Sequence, residues 1–233
     1  MSRDSSTLQR LHIGCGPGPQ PAGWVHLDGS WNARFAKAPR LRELITRLGL
    51  VPERAARQFW QSDIVVANIR RRLPFPADSF DVVYSSHVLE HLYQVEANAL
   101  LRECVRVLRR GGVLRIVVPD LKAMVVQYLN GPKTPRIPPE MLPADWLNEA
   151  LHLRTSRPPT GFVFHRIYLA LTEFHTHKWM YDAESLAYRM NAVGLAEVAE
   201  RPLWNSRIGN INEIENPGRL ADGAGVCVEG VKS

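Results

Sequence analysis

Apolar residues along the chain come in short runs closed by glycine, proline or charge, and the stretches between them repeat at helical spacing. The pattern predicts alternating strands and helices. Strands are predicted at Leu8 to Ile13, Trp24 to Asp28, a short one near Phe59 to Ser62, Phe80 to Ser85, Val113 to Val118, Ala196 to Glu200 and Val226 to Val231. Between them, Leu41, Leu44, Ile45 and Leu48 recur at helical spacing before Gly49, and Leu100, Leu101, Cys104, Val105 and Leu108 do so before Gly111 and Gly112. Runs such as Ile116 to Val118 suit strands buried on both faces of a parallel sheet. With no internal repeat, residues 1–233 read as a single α/β domain.

The first strand runs into Gly14, Cys15, Gly16 and Gly18, and the second ends at Asp28, followed by Gly29. A glycine turn admits close backbone approach to a ligand, and a carboxylate on the next strand offers acceptors to two ribose hydroxyls, the layout of a nucleoside-cofactor site. A dinucleotide fingerprint fits poorly. Its third glycine comes one position early here, and Pro17, Pro19 and Pro21 prevent a long helix from starting against a pyrophosphate. A ribose site without that cradle suits S-adenosylmethionine (SAM) better than NAD.

Three later segments carry the same theme: LPFPADSFDVVYSSHVLEHL (Leu73 to Leu92), LRECVRVLRRGG (Leu101 to Gly112) and VLRIVVPD (Val113 to Asp120). Together with the GCG turn they resemble class I SAM-dependent methyltransferases, in particular the methyltransferase type 11-like group. The resemblance is densest from Leu8 to Asp120 and extends more thinly through His177 to Leu195 and Gly225 to Lys232. It implies a Rossmann-like seven-stranded sheet with helices on both faces, an antiparallel edge formed by the last two strands, an insertion after strand 5, SAM as cofactor and S-adenosylhomocysteine (SAH) as product.

The resemblance also implies roles. Backbone N–H groups of Gly14, Cys15 and Gly16 are expected at the methionine carboxylate, with Gly18 completing the turn and Asp28, beside Gly29, on the ribose. Asp63 is expected to accept from the adenine amino group as an acid just after the third strand, with Ile64 flanking the ring. Ser85 and Ser86 fall at the carboxyl end of the fourth strand, where cofactor and acceptor meet. His87 is the first candidate base, since a neutral imidazole can take a hydroxyl proton near pH 7, and His91 and His177 are further candidates. Much of the rate in such folds comes from proximity and desolvation, which need no strong base. Asp81, at the opposite end of the fourth strand, is assigned to structure.

His87, Glu90 and His91 also spell H-x-x-E-H, the inverted zinc-protease signature, which would place two histidines four apart on one helix. Its setting inside a nucleoside-binding frame makes a zinc hydrolase the minor alternative, and no metal ligand is assigned. A SAM-binding protein without catalysis is the remaining alternative, since an intact cofactor turn says nothing of turnover.

Composition narrows the partners. The net charge is +6, but the arginines are spread out, apart from Arg70 to Arg72, and no aromatics interleave with them as a nucleic-acid platform requires. Cys15, Cys104 and Cys227 form no paired spacing, so neither a disulfide framework nor a zinc knuckle is expected. The N-terminus has no apolar leader and no apolar run approaches the roughly 20 residues of a membrane span, which predicts a cytoplasmic protein. Residues 121–176 are proline-rich and carry Trp146, His152, Phe162, Phe164, His165 and Tyr168, and read as a substrate-covering insertion or a dimer contact. Aromatics, histidines and few acids favour a small-molecule or carbohydrate hydroxyl over an amine as acceptor. N- or C-methylation of a small metabolite is the alternative chemistry, and a homo-oligomer is compatible with the sequence.

Overall fold

The computed structural model describes residues 8–48, 57–131, 142–152, 176–220 and 225–233. These build a seven-stranded sheet in the order β3-β2-β1-β4-β5-β7-β6. The strands are β1 (Arg10–Ile13), β2 (Val25–Asp28), β3 (Val65–Val66), β4 (Phe80–Ser86), β5 (Leu108–Val118), β6 (Leu195–Glu200) and β7 (Val226–Lys232). β1 through β5 pair in parallel, and β7 runs antiparallel between β5 and β6. Chain order reverses between β1 and β4, the switch point at which open α/β sheets receive ligands. The register sets Ile13 opposite both Leu27 and Ser85, so the glycine turn, Asp28 and Ser86 emerge at one edge.

Alternation along the strands fills two cores. Leu11, Ile13, Val83, Leu114, Ile116, Val118, Val226 and Val228 point into the larger one. The larger core is closed by α3 (Gln94–Val107), where Ala97, Leu100, Leu101, Cys104 and Val107 follow the 3.6-residue period, and by Leu186 and Met190 of α6 (Ala183–Ala192). Both helices are started by side chains. Glu96 accepts from Tyr93 N–H, and Asp182 and Ser185 exchange hydrogen bonds in a capping box. The opposite face buries Trp24, Val82, Tyr84, Val117 and Cys227 under Ile208 and Ile211 of the segment between β6 and β7. Arg115, on that face, is fully buried and bonds Glu215, Glu229 and the Leu203 carbonyl at 2.9–3.0 Å, while Tyr84 Oη donates to Glu215.

The remaining helices are α1 (Trp31–Ala36), α2 (Pro39–Arg47), α4 (Leu121–Asn130) and α5 (Pro143–Ala150). As the prolines dictate, no helix connects β1 to β2. Two sequence expectations are corrected. The third strand lies at Val65–Val66 rather than Phe59 to Ser62, because the earlier segment is held as a loop on the glycine turn by Gly18 N–H to the Phe59 carbonyl and Gln20 N–H to Gln61 Oε1. β5 begins five residues early, since Leu108 already pairs with Phe80 across a bulge. Of the predicted insertion, α4 and α5 are seen, and residues 132–141 and 153–175 lie outside the described residues. No helix among the described residues is long and apolar enough to cross a membrane. All three cysteines are buried and unpaired.

Candidate active site

Gly14 opens the turn after β1 with φ 73°, and a Cβ there would lie 2.2 Å from Val88 Cγ2. Only glycine lets the turn pass so close to the residue after His87. Gly29 plays the same part beyond β2, where a Cβ would fall 2.4 Å from the Ala67 carbonyl oxygen. The turn's own N–H groups are engaged internally. Gly14 and Cys15 donate to the Leu27 carbonyl at 2.7 and 3.3 Å, Gly16 to Asp28 Oδ2 at 3.0 Å, and Gly18 to Phe59. The expectation that Gly14, Cys15 and Gly16 present free donors is corrected accordingly: in this structure the turn contributes shape, because its amides first satisfy the buried ends of β2. Gln20 clamps it from outside through the Cys15, Gly16 and Gly18 carbonyls.

Asp28 is 7% exposed and accepts from Gly16 N–H and, through Oδ1, from Ser30 N–H at 2.8 Å. Each oxygen retains a second acceptor direction, so the carboxylate is fixed yet able to receive ligand hydroxyls. Cβ atoms built at Gly16 and Gly18 meet nothing within 4 Å, which leaves open space above the turn. An oriented acid beside an open glycine turn fits the ribose end of SAM. Burial, then the Asp28 and Asp63 charges, push the Cys15 thiol up to about 12, so it is no nucleophile. Asp63 itself is exposed and stands before β3, not after it, so the reason for placing it at adenine fails. The residues that follow β3 are Ala67 and Asn68. Ile64 is buried.

At the end of β4, Ser85 is buried with its hydroxyl unpartnered among the described residues, and Ser86 Oγ receives Arg219 Nη1 at 3.1 Å. His87 then turns out of the strand at φ 55°, a sparsely populated conformation that often marks functional sites. Its Nδ1 is 3.3 Å from Ser86 Oγ. Burial, then the charges of Arg219, His177, His91 and His152, push His87 down to about 3, so the ring is neutral near pH 7. Asp81, at the other end of β4, accepts from Gln9 N–H and Arg109.

Leu89–His91 form a single 3-10 turn, and His87 lies outside it in the left-handed region. The helix that would align His87 with His91 as an inverted zinc-protease pair is therefore absent, because the chain must turn at His87 to leave the sheet. The segment before α6 instead brings His177 to this turn. Lys178 and Trp179 N–H both donate to the Glu90 carbonyl, and Lys178 Nζ reaches the His91 carbonyl. Glu90, His91 and His177 have ligand-capable atoms all within 4.8 Å of one another. The Glu90 carboxyl is fully buried, and burial pushes it up to about 8. His177 is pushed down to about 4 by burial and by His152, whose ring stacks on it at 5.0 Å. Sequence reasoning missed Arg219 and Gln20, and named His152 only as part of the insertion. Arg219 lies 133 residues from Ser86 and has no local pattern around it.

An acid-tipped β2 beside a glycine turn, at the switch point of a sheet with an antiparallel β7, is a Rossmann-like arrangement with room for a nucleoside. Residues 11–116, a little under half of the chain, match the family described as a methyltransferase domain. No curated protein matches the sequence. Among solved structures, PigF with SAH is 14% identical over 100% of this chain and 58% of its own, with a TM-score of 0.47. A Thermotoga maritima SAM-dependent methyltransferase, described as a possible histamine N-methyltransferase, is 15% identical over 97% and 83%, with a TM-score of 0.46. The YcgJ protein of Bacillus subtilis is 15% identical over 97% and 92%, with a TM-score of 0.45. This chain thus spans little more than half the length of PigF.

Proposed function

We propose that the protein methylates a hydroxyl oxygen of a small molecule or carbohydrate. The observation that carries this reading is the group of four imidazoles, His87, His91, His152 and His177, beside the exit of β4, of which burial holds His87 and His177 below the ordinary histidine range. Such a wall accepts hydroxyl protons, and the carboxyl grouped with it, that of Glu90, is fully buried. SAM supplies a sulfonium methyl to which the acceptor oxygen bonds as the carbon–sulfur bond breaks, its electron pair leaving on sulfur as neutral SAH.

The chain's own residues arrange that event. Asp28 holds the ribose hydroxyls, Gly14 to Gly18 and Gly29 shape the cavity around the nucleoside, and Ile64 supplies an apolar wall. Asp63 remains a polar group near Cys15 that can reach the nucleoside, without the strand-end position that suggested an adenine contact. Ser85 and Ser86 flank the line from cofactor to acceptor. His87 takes the acceptor's proton at Nε2, which has no hydrogen-bond partner among the described residues. Its depressed proton affinity makes it a weak base until charge develops on the oxygen, so positioning carries more of the rate than proton abstraction. Nothing in the site favours nucleic acid: Arg70 to Arg72 are exposed on a loop, where Arg70 pairs with Glu96.

The test is transfer of an isotopically labelled methyl group from SAM to a panel of phenols, sugars and amines, with the product read by NMR. An O-methyl resonance supports the reading, whereas a product methylated only on nitrogen or carbon overturns it. SAM binding with no SAH formed on addition of any acceptor would favour a non-catalytic SAM-binding role.

A further inference from the structure

We propose that Glu90, His91 and His177 bind a divalent first-row transition-metal ion, of which zinc is the natural test case, beside the acceptor position. Both Glu90 oxygens and His177 Nδ1 are buried without a hydrogen-bond partner among the described residues. Orphaned carboxylate oxygens inside a protein are costly unless something charged meets them. His91 fixes the sign of that something. Its Nδ1 lies 3.3 Å from the Thr176 carbonyl, which can only accept, so Nδ1 carries the hydrogen and Nε2 presents a lone pair. That lone pair stands 3.9 Å from Glu90 Oε1, too far for a shared proton and well placed for a common cation.

The arrangement has the other marks of a metal centre. A ligating histidine usually donates its second ring nitrogen to a backbone carbonyl, as His91 does to Thr176. The ligand-bearing segments are locked together before any ion arrives, since Lys178 N–H and Trp179 N–H hold the Glu90 carbonyl at 2.7 and 3.2 Å and Lys178 Nζ holds that of His91 at 2.9 Å. His177 is oriented by its own N–H bond to the His152 carbonyl and by the stacked His152 ring. Two imidazoles and one carboxylate select a borderline ion over Mg²⁺ or Ca²⁺, and three protein ligands leave positions open to a substrate. His87 precedes the Leu89–His91 turn by two residues, so an oxygen bound to the ion would lie near the candidate base and lose its proton more readily. Only this last use rests on the methyltransferase reading; ion binding does not.

The experiment is titration of chelator-treated protein with Zn²⁺ by calorimetry and with Co²⁺ by visible absorption, with SAH binding measured on the same preparation. One ion per chain, a Co²⁺ spectrum with nitrogen–oxygen ligand bands, and a rise in unfolding temperature with Zn²⁺ are expected. Affinity should fall at least tenfold in Glu90→Gln and in His177→Ala, and stay unchanged in His26→Asn, outside the cluster. A folded wild type that takes up neither ion, or variants that bind as well as wild type, would overturn the proposal and leave Glu90 a buried neutral acid. If a variant fails to fold, the wild-type stoichiometry and cobalt spectrum still decide. SAH binding without metal binding removes this inference alone; metal binding without SAH binding removes the cofactor reading instead.

Discussion

Two side chains and one missing side chain shape the proposed cofactor site. At Gly14 a methyl group would meet Val88 Cγ2 at 2.2 Å and also force a left-handed backbone on an L-residue. Gly14→Ala should therefore destabilise the protein by about 2 kcal/mol or more and abolish SAH binding. Gly16→Ala meets open space and should cost only the backbone term, about 1–2 kcal/mol. Urea unfolding of the two variants side by side measures the difference, and equal losses would mean that Val88 moves freely. For Asp28, the informative change is to asparagine, which keeps the shape but turns one acceptor into a donor facing Gly16 or Ser30 N–H. SAH affinity should drop at least tenfold, about 1.4 kcal/mol, by calorimetry. An unchanged affinity would remove Asp28 from the ribose.

Among elements, the antiparallel β7 is held to the parallel half by a buried charge network rather than by apolar packing alone. Arg115 of β5 bridges Glu229 of β7 and Glu215 of the preceding segment, and Ser206 Oγ and Arg207 N–H complete Glu229. Arg115→Met leaves two buried carboxylates facing one another without their cation. It should cost about 3–5 kcal/mol in chemical denaturation, and Glu215→Gln, which keeps the Tyr84 contact, should cost less. The sequence showed seven strands because apolar runs bounded by glycine are local signals. It misplaced β3 because two residues carry no period, and it misread the start of β5 because Leu108 fits a helix pattern and a strand equally. The charge network was invisible, since its members are 100 and 114 residues apart. For the site, Asp28 and the glycine turn were legible from spacing, and His87, His91 and His177 were singled out individually. Their grouping was not, since it depends on how residues 176–182 fold back on Glu90.

At the scale of the whole molecule, stability should depend on acid through a histidine pair inside the sheet. The Pro21 carbonyl can only accept, so the His26 Nε2 that lies 2.9 Å from it carries a hydrogen. With both rings neutral, His26 Nδ1 must then accept from His12 Nδ1 at 3.3 Å, which leaves His12 Nε2 a buried lone pair without a partner. Protonating His12 puts a cation beside His26, Tyr84 and Arg219 with nowhere to be solvated, and burial, then His26 and Arg219, push it down to about 3 from an ordinary 6.5. The unfolded chain therefore binds a proton here that the folded chain refuses between those values, so unfolding becomes easier as pH falls through 6.5 and its cost to the fold saturates near 3. Above about 7 this histidine contributes no pH dependence. His12→Phe keeps the ring packing and removes the proton site, so the curve of unfolding free energy against pH should be flatter between 6.5 and 4 than in the wild type. Parallel curves would show that the acid loss arises elsewhere in the molecule.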